Sequence, residues 1–250
     1  MKNYRYLWVS MITLLVVLAS CGGANRSFQI QPIDDIIKSL NAQKNFTVIL
    51  YDMDYDESKD AYQHQYQVLK SHATITDSIV SDMTKWYTVS DEFFQKHQED
   101  MGMEIASKKD GVVKKTVSPA GYSNYVGNEK YGRWEQRNGE NFWSFYGKYM
   151  FLSSMFRMSM YPVSYGYYNG YYNNYYRYNR PYYGHGGRTY GTNSSYNRTN
   201  KSSRWNKRPS SFKQGVRNRV KSSTAGKRRR STSRYRSGSS YRSRGGGFGK

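Results

Sequence analysis

The chain is short of three things, and each shortage excludes something. It has a single cysteine, Cys21, in 250 residues, which rules out a disulfide framework and a cysteine-built zinc site. Its hydrophobic fraction is 37%, below the roughly 45–50% of ordinary globular chains, so one core cannot extend evenly through the whole length. It has no carboxylate side chain after Glu140, so the C-terminal 110 residues have no acid to balance their cations. Catalytic patterns are also missing. The four histidines (64, 72, 97 and 185) form no HExxH pair, no serine sits in a G-x-S-x-G elbow, and there is no G-x-x-x-x-G-K-[ST] phosphate loop. The chain therefore reads as a non-enzyme with no cofactor and no bound metal.

What is present is basic and rich in tyrosine. Lys and Arg number 39 against 18 Asp and Glu, a net charge of +21, and there are 27 tyrosines. The charge is unevenly divided. Residues 1–20 hold two cations and no acid, residues 21–160 hold 16 cations and 18 acids, and residues 161–250 hold 21 cations alone. A near-neutral domain with a cationic extension accounts for this better than a basic domain does.

Residues 1–20 read as an export signal. Lys2 and Arg5 precede an apolar run from Leu7 to Leu18, too short to span a bilayer core, which takes about 20 residues. Leu18, Ala19 and Ser20 then lead into Cys21 and two glycines. This segment resembles the bacterial lipoprotein signal, with Leu18-Ala19-Ser20-Cys21 as its lipobox. The resemblance implies cleavage before Cys21 and acylation of that residue, leaving residues 21–26 as a lipidated tether. Each buried methylene of the acyl chains contributes about 0.8 kcal/mol to membrane residence. Gly22 after the cysteine is similar to the sorting pattern of outer-membrane lipoproteins, which implies the periplasmic face. The whole resembles an envelope lipoprotein of the Bacteroidota.

Residues 27–160 carry the patterns of a small α+β domain with a mainly antiparallel sheet. Ile33, Ile36, Ile37 and Leu40 recur at helical spacing behind Pro32. Phe46 to Tyr51 is a β-branched and aromatic run. Tyr62, His64, Tyr66 and Val68 alternate with Gln63, Gln65 and Gln67, the pattern of a half-exposed strand on which His64 is a packed residue. Thr74 to Val80 and Trp86 to Val89 are further strands, and Ser90 opens a short helix through His97. Met103 to Ala106 and Val112 to Val117 form a hairpin across Lys109-Asp110-Gly111. Pro119 to Trp134 reads as an ordered loop. Phe142, Phe145, Tyr149, Leu152 and Phe156 predict a closing helix, packed on the sheet or lying on a membrane surface.

One acidic cluster invites a metal reading. Asp52, Asp54 and Asp56 occupy positions 1, 3 and 5 of a calcium loop, yet position 6 is Glu57 rather than Gly and position 12 is Gln63 rather than Glu. The cluster is therefore read as a solvated hairpin connection.

Residues 161–183 contain 11 tyrosines, and from residue 184 onward the only aliphatic residues are Val216, Val220 and Ala225. Such a stretch offers little apolar surface to offset conformational entropy, so 184–250 is expected to be a disordered Arg/Ser/Gly-rich tail. Polyanion contacts are expected from Arg204, Lys207, Arg208, Lys227, Arg228, Arg229, Arg230, Arg242 and Arg244, and aromatic contacts from Tyr167, Tyr168, Tyr171, Tyr172, Tyr175 and Tyr176. In the envelope the matching partners are anionic lipids, lipopolysaccharide or acidic glycans. Read without the signal, the same composition suits single-stranded nucleic acid, which is the alternative partner. An envelope enzyme working through Asp52, Asp54 and Asp56 is the third reading.

Overall fold

A computed structural model describes residues 32–72, 78–158, 160–187, 189–201, 203–216 and 218. The signal, the lipobox and Cys21 lie outside the described residues, as do Lys227, Arg228, Arg229, Arg230, Arg242 and Arg244.

The chain folds as α+β around one antiparallel sheet. Helix α1 (Pro32–Ser39) begins on its proline, where the missing N–H costs nothing, and has Asp34 and Asp35 in its first turn. Its Ile33 and Ile36 are buried. Strands β1 (Phe46–Asp56) and β2 (Ala61–Ser71) form a long central hairpin. The alternation in β2 holds residue by residue: Tyr62, His64, Tyr66 and Val68 are buried, while Gln63, Gln65 and Gln67 are half-exposed. In β1 the register slips between Leu50 and Asp52. That bulge leaves Tyr51 as the extra residue and brings Leu50 and Met53 into the same core.

Strands β3 (Ile79–Met83) and β4 (Tyr87–Val89) share the outer edge of β2. Helix α2 (Asp91–His97) is capped by Ser90, whose hydroxyl accepts from the Phe93 amide. On the other side β5 (Met103–Lys109) pairs with β1 and carries β6 (Val112–Lys114) and β7 (Ser118–Pro119). The β5–β6 turn at Asp110-Gly111 is as expected.

The closing helix is not as the aromatic spacing predicts. Residues 132–145 form a second hairpin of β8 (Gly132–Arg137) and β9 (Glu140–Phe145). Asn138 and Gly139, with φ of 50° and 83°, make the tight turn such a hairpin requires. Trp134 pairs directly with Trp143, and their rings meet edge to face at 5.2 Å. Turn chemistry and cross-strand pairing thus override the helical spacing of Phe142 and Phe145. A helix begins only after a 3₁₀ turn at Gly147–Tyr149, as α3 (Met150–Met155).

The larger correction concerns the chain beyond 160. Helix α4 (Tyr165–Asn174) and the short helices α5 (Ser195–Thr199) and α6 (Arg204–Lys207) fold back onto the sheet, as does α7 over residues 210–216. Packing runs past residue 160 and takes in described residues of the stretch 184–216 despite its aliphatic poverty. Aromatics supply the missing apolar area. Trp205 and Val216 are buried in the core of α1, α2 and the sheet, with Phe212 packed against it. Burying each large side chain contributes about 1.5–3 kcal/mol. Serines supply the caps: Ser194 accepts from the Asn197 amide and Ser203 from the Asn206 amide. The Thr192 amide donates to the Glu99 carbonyl at 2.9 Å, and the Thr192 hydroxyl accepts from the Met101 amide at 3.1 Å. At neighbouring Gly191, with φ +90°, a Cβ would stand 2.4 Å from that same carbonyl, so only glycine fits.

The two faces of the sheet therefore bear two cores. One holds Phe46, Val48, Leu50, Phe94, Ile105 and Trp205 among others. The opposite one is built around Tyr122, Tyr125, Tyr131, Tyr149, Tyr171 and Tyr182.

Candidate functional site

The residues singled out for polyanion contact have separate fates. Lys207 is exposed. Arg208 is committed inside the molecule: one guanidinium nitrogen reaches Asp52 at 2.6 Å and another reaches Asp54 at 2.5 Å. Burial raises the Asp52 pKa above its ordinary value, with Arg208 pulling the other way. Asp56 serves the β1–β2 turn, accepting from the Ser58 hydroxyl and amide and from the Lys59 amide. Its pKa falls to about 2, chiefly through the Ser58 hydroxyl and then the Lys59 ammonium, which lies 2.9 Å from the carboxylate. The acidic run is thus engaged by an arginine and a turn rather than solvated. Among the described residues no group of three metal-ligating side chains converges.

The six tyrosines also divide. Tyr171 is buried, Tyr168, Tyr175 and Tyr176 are half-buried, and only Tyr167 and Tyr172 open to solvent. Lys114 sits 3.7 Å above the Tyr176 ring and donates to the Tyr176 carbonyl. Four of the six therefore act chiefly as packing. Among the described residues no helix is long and apolar enough to cross a membrane.

Sequence reasoning missed a narrow cleft between the tyrosine-face core and the returning chain. Its cavity of about 30 Å³ is lined by Tyr51, Tyr161, Tyr190, Tyr196, Arg157 and Arg204, with small and apolar residues around them and no carboxylate side chain. Arg157 follows α3 as the left-handed residue of a helix-ending motif: the Arg157 amide donates to Ser154 and the Met158 amide to Ser153. Its φ is +58°, at a position where glycine is the usual occupant. The guanidinium lies against Gly102, 3.6 Å from where a Cβ there would stand, and 4.5 Å above the Tyr196 ring. Arg204 comes from α6 and lies 3.4 Å above the Tyr51 ring, the residue that the β1 bulge sets apart.

Neither guanidinium forms a hydrogen bond or ion pair with any described residue. Desolvation lowers the pKa of both arginines, yet a guanidinium remains charged at any physiological pH. Stacking on a tyrosine engages the face of each cation and leaves its N–H edges free. The cleft therefore concentrates positive charge and hydrogen-bond donors, with no counter-ion among the described residues that line it. Sequence reading placed Arg204 in the basic tail and Arg157 only among the cations of the closing helix.

Three buried polar groups lie elsewhere in the fold. Asp100 accepts from the Tyr183 hydroxyl at 2.6 Å and meets His97 Nδ1 at 2.8 Å. His64 is fully buried against the Tyr66 hydroxyl at 3.1 Å, and burial holds its pKa well below the ordinary imidazole value. Glu104 is sealed beneath the tyrosine core, accepting from the Gly121 amide at 3.3 Å. Its burial raises the pKa to about 7 against hydrogen bonds from Ser123 and Ser107.

No known family model, curated protein or solved structure matches this chain.

Proposed function

We propose that the protein is a lipid-anchored, non-enzymatic component of the bacterial envelope. In this reading acylated Cys21 holds it on the outer membrane facing the periplasm, and its cations contact anionic lipids, lipopolysaccharide or acidic glycans. The observation that carries the reading is a sequence one: a lipobox at one end and, at the other, residues 219–250 with 11 Lys and Arg and no acid. The fold adds support by subtraction. Arg208 is consumed by Asp52 and Asp54, so diffuse polyanion contact falls to Lys207 and to residues 219–250, including Lys227, Arg228, Arg229, Arg230, Arg242 and Arg244. Near an anionic surface each such cation contributes up to about 1 kcal/mol, screened over roughly 8 Å at physiological salt.

Expression of the Cys21→Ser variant in a Gram-negative host tests the anchor: it should abolish labelling by a palmitate analogue and leave an unprocessed precursor. Unchanged labelling would remove the lipoprotein reading. Full-length protein in detergent micelles should bind immobilised lipopolysaccharide with a steep salt dependence. Removal of residues 219–250 should abolish most of the salt-sensitive part of that binding. An unprocessed form retained in the cytosol, with single-stranded DNA preferred over lipopolysaccharide at equal charge, would favour the nucleic-acid alternative instead.

A further inference from the structure

The geometry points to the Arg157–Arg204 cleft as a specific binding site for one oxyanion group, a carboxylate or phosphate carried on a larger molecule. Three independent features converge there. Two half-buried guanidinium groups reach one cavity, and among the described residues neither has an acceptor for its N–H edges. Cations drawn away from water are ordinarily paired, which leaves these two suited to an external partner. The face of each is immobilised by a tyrosine, at 4.5 Å for Arg157 on Tyr196 and 3.4 Å for Arg204 on Tyr51. A guanidinium held flat in this way presents its planar fork already oriented for two parallel hydrogen bonds to a carboxylate or phosphate. Finally, Arg157 occupies a helix-terminating position in left-handed backbone, where glycine would be unstrained. A side chain kept there against local preference marks a place where that chain is in use.

Size and surroundings narrow the ligand. The cavity of about 30 Å³ holds one or two waters, so it admits the oxygens of a single headgroup and not a whole sugar or nucleotide. The rest of the ligand remains outside, against the rim. The Thr189 hydroxyl is spent on the His185 carbonyl, and Tyr190 and Ser194 already have one partner each, but the lining adds the Tyr161 hydroxyl and carries no carboxylate side chain to repel an anion.

This inference rests on the proposed function only for the origin of the group, since acidic glycans and lipopolysaccharide carry both carboxylates and phosphates. The binding chemistry is separate from the basic C-terminal segment, and the two fail separately. Titration calorimetry would use full-length protein in detergent micelles at physiological salt, with galacturonate, glucose 1-phosphate and inorganic phosphate as probes and galactose as the neutral control. At least one oxyanion should bind, and galactose should not. Arg204→Gln should weaken that binding at least tenfold. Arg157→Gly should do the same, and because it relieves the left-handed backbone it keeps the helix end intact, as circular dichroism would verify. Arg157→Lys keeps the charge but not the fork and should also lose most of the affinity. Deletion of residues 219–250 should leave probe affinity unchanged while removing the salt-sensitive part of lipopolysaccharide capture. Probe preference distinguishes a carboxylate source from a phosphate source. Absence of binding by every oxyanion, or equal binding by folded Arg157→Gly and Arg204→Gln proteins, would overturn the site.

Discussion

The two faces of the sheet solve the same packing problem with different materials. One is walled mainly by aliphatic and phenylalanine side chains, with Tyr62 and Tyr66 among them, and is joined by Trp205 and Val216 from the returning chain. The other is walled by tyrosines, which carry apolar bodies but also hydroxyls that need partners. Tyr122 meets Tyr190 hydroxyl to hydroxyl at 3.1 Å, and Tyr171 meets Ser123 at 3.3 Å. The aliphatic face needs regular elements with periodic apolar residues. The tyrosine face is assembled from turns, a hairpin and short helices, because ring-to-ring contact and paired hydroxyls tolerate irregular backbone. A chain poor in aliphatic residues thus still makes a second core.

The comparison is most exposed at Trp205, since the aliphatic face is complete only if the returning C-terminal chain is one of its walls. Trp205→Ala should lower unfolding free energy by about 3–5 kcal/mol, the range of a large core truncation, measured by denaturant titration of the full chain. A loss below about 0.5 kcal/mol, ordinary for an exposed site, would return residues 204–216 to the status of a tail.

A second test addresses the carboxyl sealed under the tyrosines. The Glu104 pKa rises on folding from the ordinary 4.5 to about 7. Below pH 4.5 the group is protonated in both states and costs nothing. As pH rises toward 7 the unfolded chain ionises first, so stability falls across that window and stays reduced above it. Glu104→Gln should therefore stabilise the protein by about 2–3 kcal/mol at pH 8 and leave it unchanged at pH 4. A constant difference at both pH values would show that the effect is packing rather than ionisation.

The smallest effect separates the two materials directly. Tyr122→Phe keeps the ring and deletes one paired hydroxyl, so it should cost about 1 kcal/mol in a thermal melt. A stabilising result would mean that the tyrosine face depends on its rings alone.

Legibility in the sequence followed the same division. Helix α1 and the β2 alternation were readable because each buries one side at a regular period, β1 because of its β-branched and aromatic run, and the β5–β6 hairpin because of its turn at Asp110-Gly111. The β8–β9 hairpin was not, because Phe142, Phe145 and Tyr149 coincide with helical spacing while the decisive signal, Asn138-Gly139, is two residues long. The packing of 184–216 was hidden because a count of aliphatics gives no weight to Trp205, to Phe212 or to serine caps. Charge counting identified Arg204 and Arg208 as cations, but their surroundings lie far away in sequence, at Tyr51, Asp52 and Asp54.

That distance has a consequence for the order in which the molecule assembles. Asp52 and Asp54 emerge on the nascent chain roughly 150 residues ahead of Arg208, their counter-ion. Until it arrives, docking β1 into its final surroundings means desolvating two neighbouring carboxylates without a cation, a cost that disfavours early closure. The central hairpin can form, but the bulge beside Tyr51 stays hydrated and loose. Arrival of residues 204–208 fills three vacancies together: the cation for the aspartates, the stacking partner for Tyr51 and the indole for the aliphatic core. The last quarter of the chain therefore acts as a fastener, and synthesis halted before it leaves an open precursor rather than a trimmed version of the finished protein.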